Sequence, residues 1–486
     1  MNKNSIFKLS FLFIVMAFTV LAFACGDDET VDGDTDGDQD TTDGDIEAAD
    51  GDQETTDGDQ DVSDGDTDLE EAGPIGPKKE ERDGFTVLWL HGTPYEMGFQ
   101  HGQLLKDTIK DAMDFVEGDP LLKSIPSLAE SMGILQLAED TSYQDVIDEC
   151  QGLIDGAEEE RFNMSYCMAL NFGDVMLENI PFKSGEGPGC TEIVSSGVAN
   201  EDGRLYHARN LDWGSMDISI IHQHPVIFVR QPKDAIAHAF VGFPLNISPY
   251  TGMNAAGLSI CSNEADPLDE TQKDKVGRSH VQMLYMLLKS ASSLSEAREF
   301  LTGEDHMSSE TIVVADGNTK EAGVFEMTAA HMKERNLTDG LVYAVNHFLD
   351  PEMAEYDAVQ NPDEVIAGNI EDSSLMRLWR LEQLVDKDGE DTLYGQLGPE
   401  NMIAVMRDTV NPLTKVAAGY DIENPDNNAG IGTNGPMHFV LFDPEKLLFW
   451  VAAGKLPIGE QPFKCFSLGK LLNLPDAAEC TPAQFD

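Results

Sequence analysis

Basic residues are scarce in this chain. Its 486 residues carry 31 Lys and Arg against 89 Asp and Glu, a formal charge of -58. So acidic a surface repels phosphates instead of neutralising them, which excludes nucleic acid as a partner. Cysteines at zinc spacing, a Walker loop and the glycine fingerprint of a dinucleotide fold are also lacking. No metal or cofactor is therefore expected. Long apolar runs are rare too, the clearest being Leu9 to Ala24, between Lys8 and Cys25.

That run follows Lys3 and Lys8 and ends in small residues, the pattern of a secretory signal. Residues 1–24 are read as a signal peptide of an exported protein; a permanent membrane anchor is the other reading. Ala22-Phe23-Ala24 satisfies the small-x-small rule for ordinary cleavage. The same bond resembles a lipoprotein box with Cys25 as the lipidated residue, although Ala22 and Phe23 depart from the usual Leu-Ala. The polar stretch after Cys25 favours a lipid-anchored envelope protein, periplasmic or at the cell surface.

Residues 25–83 read as the lipidation Cys and an acidic low-complexity tether. From Gly26 to Glu71 there is no Lys or Arg, and Asp-Gly-Asp recurs, as at Asp43-Gly44-Asp45 and Asp57-Gly58-Asp59. Such a segment has too little apolar surface to offset its ordering entropy. Closely spaced carboxylates also suit calcium, but the twelve-residue loop with its terminal Glu is missing. Of the seven cysteines, Cys465 and Cys480 lie close in sequence and could pair in an oxidising compartment.

About 400 residues remain, enough for one large domain or two intimate ones. They open with a strand at Thr86–Leu90 and a turn at Gly92-Thr93-Pro94. A helix from Tyr95 follows, with an apolar stripe from Met97 to Met113. Residues 84–189 are expected to be mainly helical. From 190 the pattern changes to strands in hairpins with helices in separate blocks, as in stacked antiparallel sheets covered by helices. A turn centred on Glu201-Asp202 would set Cys190 across from Trp213, beside Asp212 and within reach of Arg209. A thiol, a carboxylate and a guanidinium thus meet at one hairpin end. Taken alone, that also fits a structural Cys beside an ordinary ion pair.

Six segments, in order, resemble the acyl-coenzyme A:isopenicillin N acyltransferase family of N-terminal nucleophile (Ntn) hydrolases, related to choloylglycine and other linear-amide hydrolases. They are Gly92 to Gly102, Gly189-Cys190-Thr191, Ala208 to Trp213, Gly252 to Asn263, Asn346-His347-Phe348 and Ser373 to Arg377. The resemblance implies an α+β fold, a four-layer αββα sandwich of two antiparallel sheets flanked by helices. It implies self-cleavage between Gly189 and Cys190, giving a pro segment (84–189) and a catalytic segment (190–486) that stay associated. Cys190 would be the nucleophile and its freed α-amine the base. Asp212 would hold the ammonium form, and Arg209 would orient thiol and substrate. Asn346, with the backbone N–H of Asn263, would bind the oxyanion, and Arg377 would order the network.

The chemistry is self-consistent. A free α-amine titrates near pH 8, close to a thiol at about 8.5, so the amine can take the thiol proton and no His is required. The expected substrate is a small-molecule amide or short peptide, its acyl group passing to water or to an amine. Other readings stay open at this level. Arg380 competes with Arg377, and His91, His101 and His347 could serve a Cys–His pair. Asn254 is read as structural. The chain could also be an inactive, surface-tethered binding lipoprotein on the same fold.

Overall fold

Period-two alternation in this chain goes into two large sheets. The computed structural model describes residues 73–172, 189–212, 222–268, 271, 277–370, 372–420, 429–433 and 436–486. The signal segment, Cys25, most of the tether and Trp213 lie outside the described residues. Residues 70–486 group as one unit.

In chain order the strands are β1 (Lys78–Arg82), β2 (Phe85–Gly92), β3 (Thr191–Gly197), β4 (Gly203–Asp212), β5 (Val226–Pro232), β6 (His238–Gly242), β7 (Thr251–Asn254) and β8 (Leu258–Glu264). Then come β9 (Glu310–Asp316), β10 (Glu321–Met327), β11 (Met332–Asn336), β12 (Leu341–Ala344), β13 (Pro436–Asp443), β14 (Leu448–Ala453), β15 (Phe463–Ser467) and β16 (Gln484–Phe485). One sheet runs β1-β2-β5-β6-β7-β8-β9-β10-β11, the other β12-β3-β4-β13-β14-β15-β16. The pairing is antiparallel except between β2 and β5, which run parallel. Parallel neighbours need a long crossover, and the helices and hairpin between residues 92 and 226 supply it.

The longer helices are α1 (Pro94–Leu104), α2 (Lys106–Gly118), α3 (Pro120–Ser131), α4 (Ile134–Thr141), α5 (Gln144–Ala157), α6 (Met164–Asn171), α7 (His280–Ser290), α8 (Leu294–Gly303), α9 (Ser373–Val385) and α10 (Pro399–Met406). No helix among the described residues is long and apolar enough to cross a membrane.

Three cores define the layers. Val87, Ile227, Val229 and Met253 of the first sheet pack on Val440, Phe442, Phe449 and Val451 of the second. The opposite face of the first sheet, with Leu88, Phe228, Phe240 and Ile260, packs on Ile109, Leu153, Leu284 and Leu301 of its helices. The outer face of the second sheet, with Ala208, Phe439 and Trp450, packs on Leu381, Leu384, Met402 and Met406. The result is the αββα sandwich.

Two sequence expectations need correction. The apolar stripe from Met97 to Met113 is not one helix, because Leu105 leaves helical geometry (φ -111°, ψ 16°) and separates α1 from α2. Lys78–Arg82, placed in the tether for its charge, is an edge strand paired with β2. Charged residues suit an edge because they discourage pairing with another chain.

The helical layer is held at close quarters. Thr93 and Glu96 form a capping box that starts α1. Gly98 and Gly102 of α1 then face Gly152 and Gly156 of α5, so near that a Cβ on any of them would overlap the opposing backbone. Disulfides join Cys150 to Cys167, between α5 and α6, and Cys465 to Cys480. Buried Arg230 of β5 donates to Glu149 of α5, which also accepts from the Tyr285 hydroxyl at 3.0 Å.

Gly152→Ala tests the packing through its sign. In an ordinary helix the change stabilises by roughly 0.5–1 kcal/mol. Here the methyl group must push α1 away, and a loss of about 2 kcal/mol is expected in denaturant unfolding. A gain would contradict the contact.

Candidate active site

The hairpin that carries the nucleophile candidate has a different register from the one expected. Glu192 faces Arg209 and Thr191 faces Asn210, so partners number to 401 instead of 403. The physical cause is the turn. Gly197 pairs with Gly203, which centres the turn on Asn200, and the register shifts between Ser195 and Gly197. Both glycines adopt positive φ, 56° and 66°, where a side chain would be strained. Asn200 closes the turn by donating to Arg204 O at 2.6 Å. Cys190, just before β3, is therefore level with Leu211.

Alternation sends the functional side chains two ways. Glu192 on β3, His207 and Arg209 on β4, and Ser259 and Cys261 on β8 meet between the sheets. Thr191 meets Arg377 of α9 on the outer side. The inter-sheet space is thus apolar over most of its extent and polar at one end.

Arg209 is fully buried and divides its donors. Nη2 donates to Cys190 Sγ at 3.4 Å, and Nη1 donates to Glu192 Oε1 at 2.9 Å, Ser262 O at 2.6 Å and Tyr250 O at 3.2 Å. Burial opposes its charge, yet Cys190, Glu192 and Cys261 together hold its pKa above the usual arginine value. It remains a cation.

Arg377 works from the other side. Its Nη1 donates to the carbonyl oxygen of Cys190 and, at 2.9 Å, to Thr191 Oγ1, and its Nη2 donates to Asn346 Oδ1 at 2.8 Å. The Asn346 amide in turn donates to Glu264 O at 2.8 Å, and its backbone N–H donates to Ser374 Oγ at 2.9 Å. Arg380, the competitor, is committed elsewhere, to Asp408 and Asp391. Asp212 accepts from the Thr433 hydroxyl. A Cβ on Gly189 would lie 3.2 Å from Asp212 Oδ2 and 3.6 Å from Arg377 Nε, which places the Gly189–Cys190 bond against both. Cys190 itself is 3% exposed.

Asn263 is close as well. With its amide turned so that Nδ2 faces acceptors, it donates to Glu192 Oε1 at 2.7 Å and Ser262 O at 3.2 Å; the reverse orientation would set oxygen against carboxylate. Five of the six residues singled out in the sequence are therefore bonded directly, or through Glu192, into one network: Cys190, Arg209, Asn263, Asn346 and Arg377. Asp212 adjoins it at Gly189.

Sequence reasoning missed Glu192, His207, Cys261 and Thr433. Glu192 is wholly buried; His207 Nε2 lies 3.1 Å from its Oε2, and His207 Nδ1 lies 2.9 Å from Ser259 Oγ. A buried acid two residues past the candidate nucleophile was a signal, since charge is rarely buried without a partner. Glu192, His207 and Cys261 hold metal-type atoms within 4.8 Å of one another. The Arg209 guanidinium, which donates to Glu192 Oε1 at 2.9 Å, already puts a fixed cation there. The donor set therefore does not fit a metal.

His91, His101 and His347 each have a local hydrogen-bond partner away from Cys190. His91 Nε2 lies 3.1 Å from Gly76 O. His101 Nε2 lies 2.6 Å from Pro244 O and His347 Nδ1 lies 2.7 Å from Ser374 Oγ. Burial lowers both His101 and His347 to about 4. Asn254, as expected of a structural residue, donates to Ala291 O and Leu288 O and caps the turn before β8.

Residues 198–455 match the model of the family described as acyl-coenzyme A:6-aminopenicillanic acid acyl-transferase. The chain belongs to this family. Arg209, Asp212, Asn263, Asn346 and Arg377 fall within the matched span, and Cys190 lies just before it. An uncharacterised protein of Archaeoglobus fulgidus is 23% identical over 406 residues, covering 73% of this chain and 65% of its own length. The chain thus spans just under two thirds of that relative. Among solved structures, an N-acylethanolamine-hydrolyzing acid amidase ortholog of Caenorhabditis elegans aligns at TM-score 0.35 and 17% identity, over 53% of this chain and 93% of its own. Penicillin V acylase of Agrobacterium tumefaciens aligns at 0.30 and 16%, over 54% and 83%. A mutant of the conjugated bile acid hydrolase of Clostridium perfringens aligns at 0.29 and 12%, over 57% and 96%.

In this family member a further buried acid helps to hold the loop after Asn346. Asp357 accepts from the Phe348 N–H at 2.6 Å, and burial, aided by Asp266 and Glu326, raises its pKa to about 7. A raised acid pKa means that the folded state holds its proton more tightly than the unfolded chain. Stability then falls as pH rises from about 4 to about 7, and the loss is complete above that window. Asp357→Asn keeps an acceptor but cannot ionise. Its unfolding free energy should decline less across this window than that of the wild type, as measured by denaturant titration at several pH values. An equal decline would assign the effect to other groups.

Proposed function

We propose that the protein is a self-processing cysteine Ntn hydrolase that cleaves a linear amide, or transfers its acyl group, through a thioester on Cys190. The observation that carries this reading is the position of the Gly189–Cys190 bond. The thiol accepts from Arg209 Nη2 at 3.4 Å, while the bond adjoins Asp212 and Arg377.

Self-cleavage begins when Cys190 Sγ adds to the Gly189 carbonyl carbon, and its proton passes to the amide nitrogen as the C–N bond breaks. This leaves a thioester between Gly189 and Sγ and a free α-amine on Cys190. Water then opens the thioester, giving the Gly189 carboxylate and a free thiol. Glycine suits the position, because a side chain there would press on Asp212.

In turnover the α-amine takes the thiol proton as Sγ attacks a substrate amide, and Asp212 holds the resulting ammonium. The amine product leaves with that proton, and water or a second amine removes the acyl group. Arg209 stabilises the thiolate. The second N–H of the Asn346 amide and the backbone N–H of Asn263 serve the oxyanion; losing one such donor typically costs about a hundredfold or more in rate. The substrate class is a small-molecule amide or short peptide. Export and a lipid anchor at Cys25 complete the reading, in keeping with two disulfides that need an oxidising compartment.

Intact mass of the purified protein should give two fragments that divide between Gly189 and Cys190. Cys190→Ala should remain one chain, and Gly189→Ala should cleave at least tenfold more slowly. Wild-type protein that stays uncut removes the α-amine base and overturns the reading. Asn346→Ala should cleave a test amide roughly a hundredfold or more slowly, and an unchanged rate would remove it from the oxyanion site.

A further inference from the structure

Behind the thiol, one carboxylate touches both arms of the candidate site. Glu192 has no exposed surface, and its oxygens are shared among Arg209 Nη1 at 2.9 Å, His207 Nε2 at 3.1 Å and, with the Asn263 amide turned toward its acceptors, Asn263 Nδ2 at 2.7 Å. His207 is anchored in turn by Ser259 Oγ at 2.9 Å. Arg209 leads to the nucleophile, and Asn263 leads to the oxyanion side. Glu192 lies opposite Arg209 in the hairpin and spans the gap to β8 in the other sheet.

We propose that Glu192 is a positioning residue of this enzyme: it fixes the Arg209 guanidinium against Cys190, ties it to Asn263, and balances its charge so that the thiolate is not over-stabilised. The proposal rests on Cys190 being the nucleophile, as proposed for the function. A guanidinium has its donors in a rigid planar fork, so holding Nη1 on Glu192 fixes where Nη2 points. The sulfur gains from that cation as a thiolate, but a thiolate held too strongly is a poorer nucleophile. Glu192 offsets part of the attraction.

The groups facing this carboxylate can be named from each packed element. Cys190 comes from the start of β3, and His207 and Arg209 from β4. Cys261 and Asn263 come from β8. On β13, His438 is held well below the usual histidine value by burial and then by Arg209, its Nε2 lying 2.9 Å from Thr251 Oγ1. Asp212 stands on the other side of Gly189. Glu192 is the anion bonded to the guanidinium that touches the thiol.

The test uses the purified wild-type protein, Glu192→Gln and Glu192→Asp. Iodoacetamide alkylation of Cys190 is followed against pH, with the label located by peptide mapping to separate it from Cys261. Self-cleavage and hydrolysis of a test amide are measured on the same samples. Glu192→Gln removes the negative charge, so its Cys190 alkylation midpoint should move down by about one pH unit, with turnover at least tenfold lower. Glu192→Asp keeps the charge but withdraws it by one methylene. Its midpoint should stay near the wild type while turnover falls about tenfold.

Profiles and rates within twofold of wild type in both variants overturn the proposal. So does loss of the folded state in both, which would make Glu192 a scaffold residue. Wild-type protein that fails to cleave defeats the functional reading, yet the alkylation profiles still report whether Glu192 tunes the thiol.

Discussion

The buried guanidinium of Arg209 is the interaction around which the rest of the structure is arranged. Taking a charged group from water into a protein interior costs several kcal/mol even after relaxation. That cost falls here at the polar end of a space between two sheets that is apolar over most of its extent, and it is met from both sheets at once. Glu192 supplies the countercharge from the adjacent strand, while the carbonyls of Ser262, in the opposite sheet, and of Tyr250, just before β7, accept from it. Cys190 takes a remaining donor. The thiol is thus one member of a network that the fold must satisfy in any case.

This arrangement builds the site from strand register and alternation. Strand register decides that Arg209 faces Glu192, and alternation decides that both point inward. Arg377, from a helix on the outer face of the second sheet, reaches the other side of the same backbone and bonds the Cys190 carbonyl, Thr191 and Asn346. The peptide bond proposed to break is thereby held between layers. Close glycine packing of α1 on α5 and the Cys150–Cys167 disulfide fix the helical layer that precedes it in the chain.

Much of this is legible in the sequence. Apolar periodicity located the first core strand and the start of the first helix, and the stretch from Ala208 to Asp212 marked the strand that carries the guanidinium. What escaped had physical reasons. The parallel β2–β5 pair leaves no trace in local sequence, because it depends on a distant crossover. The hairpin register was misjudged by two because a pair of positive-φ glycines recentred the turn on Asn200. Lys78–Arg82 looked like tether because an edge strand tolerates the composition of a linker. Glu192 was passed over since it lies in a strand that otherwise reads as plain core, and Thr433 lies far from Asp212 in sequence. Arg377 and Arg380 could not be separated by helix position; only their partners, Asn346 in one case and Asp408 in the other, divide them.

The proposed reaction requires that Cys190 carry the acyl group. The most direct measurement is to mix the purified protein with an activated acyl ester, quench in acid, and map the adduct by peptide mass. An acyl group is expected on a peptide whose first residue is Cys190, released by hydroxylamine as a thioester would be. Acylation of Cys261 instead, or of a peptide still running through Gly189–Cys190, would contradict it.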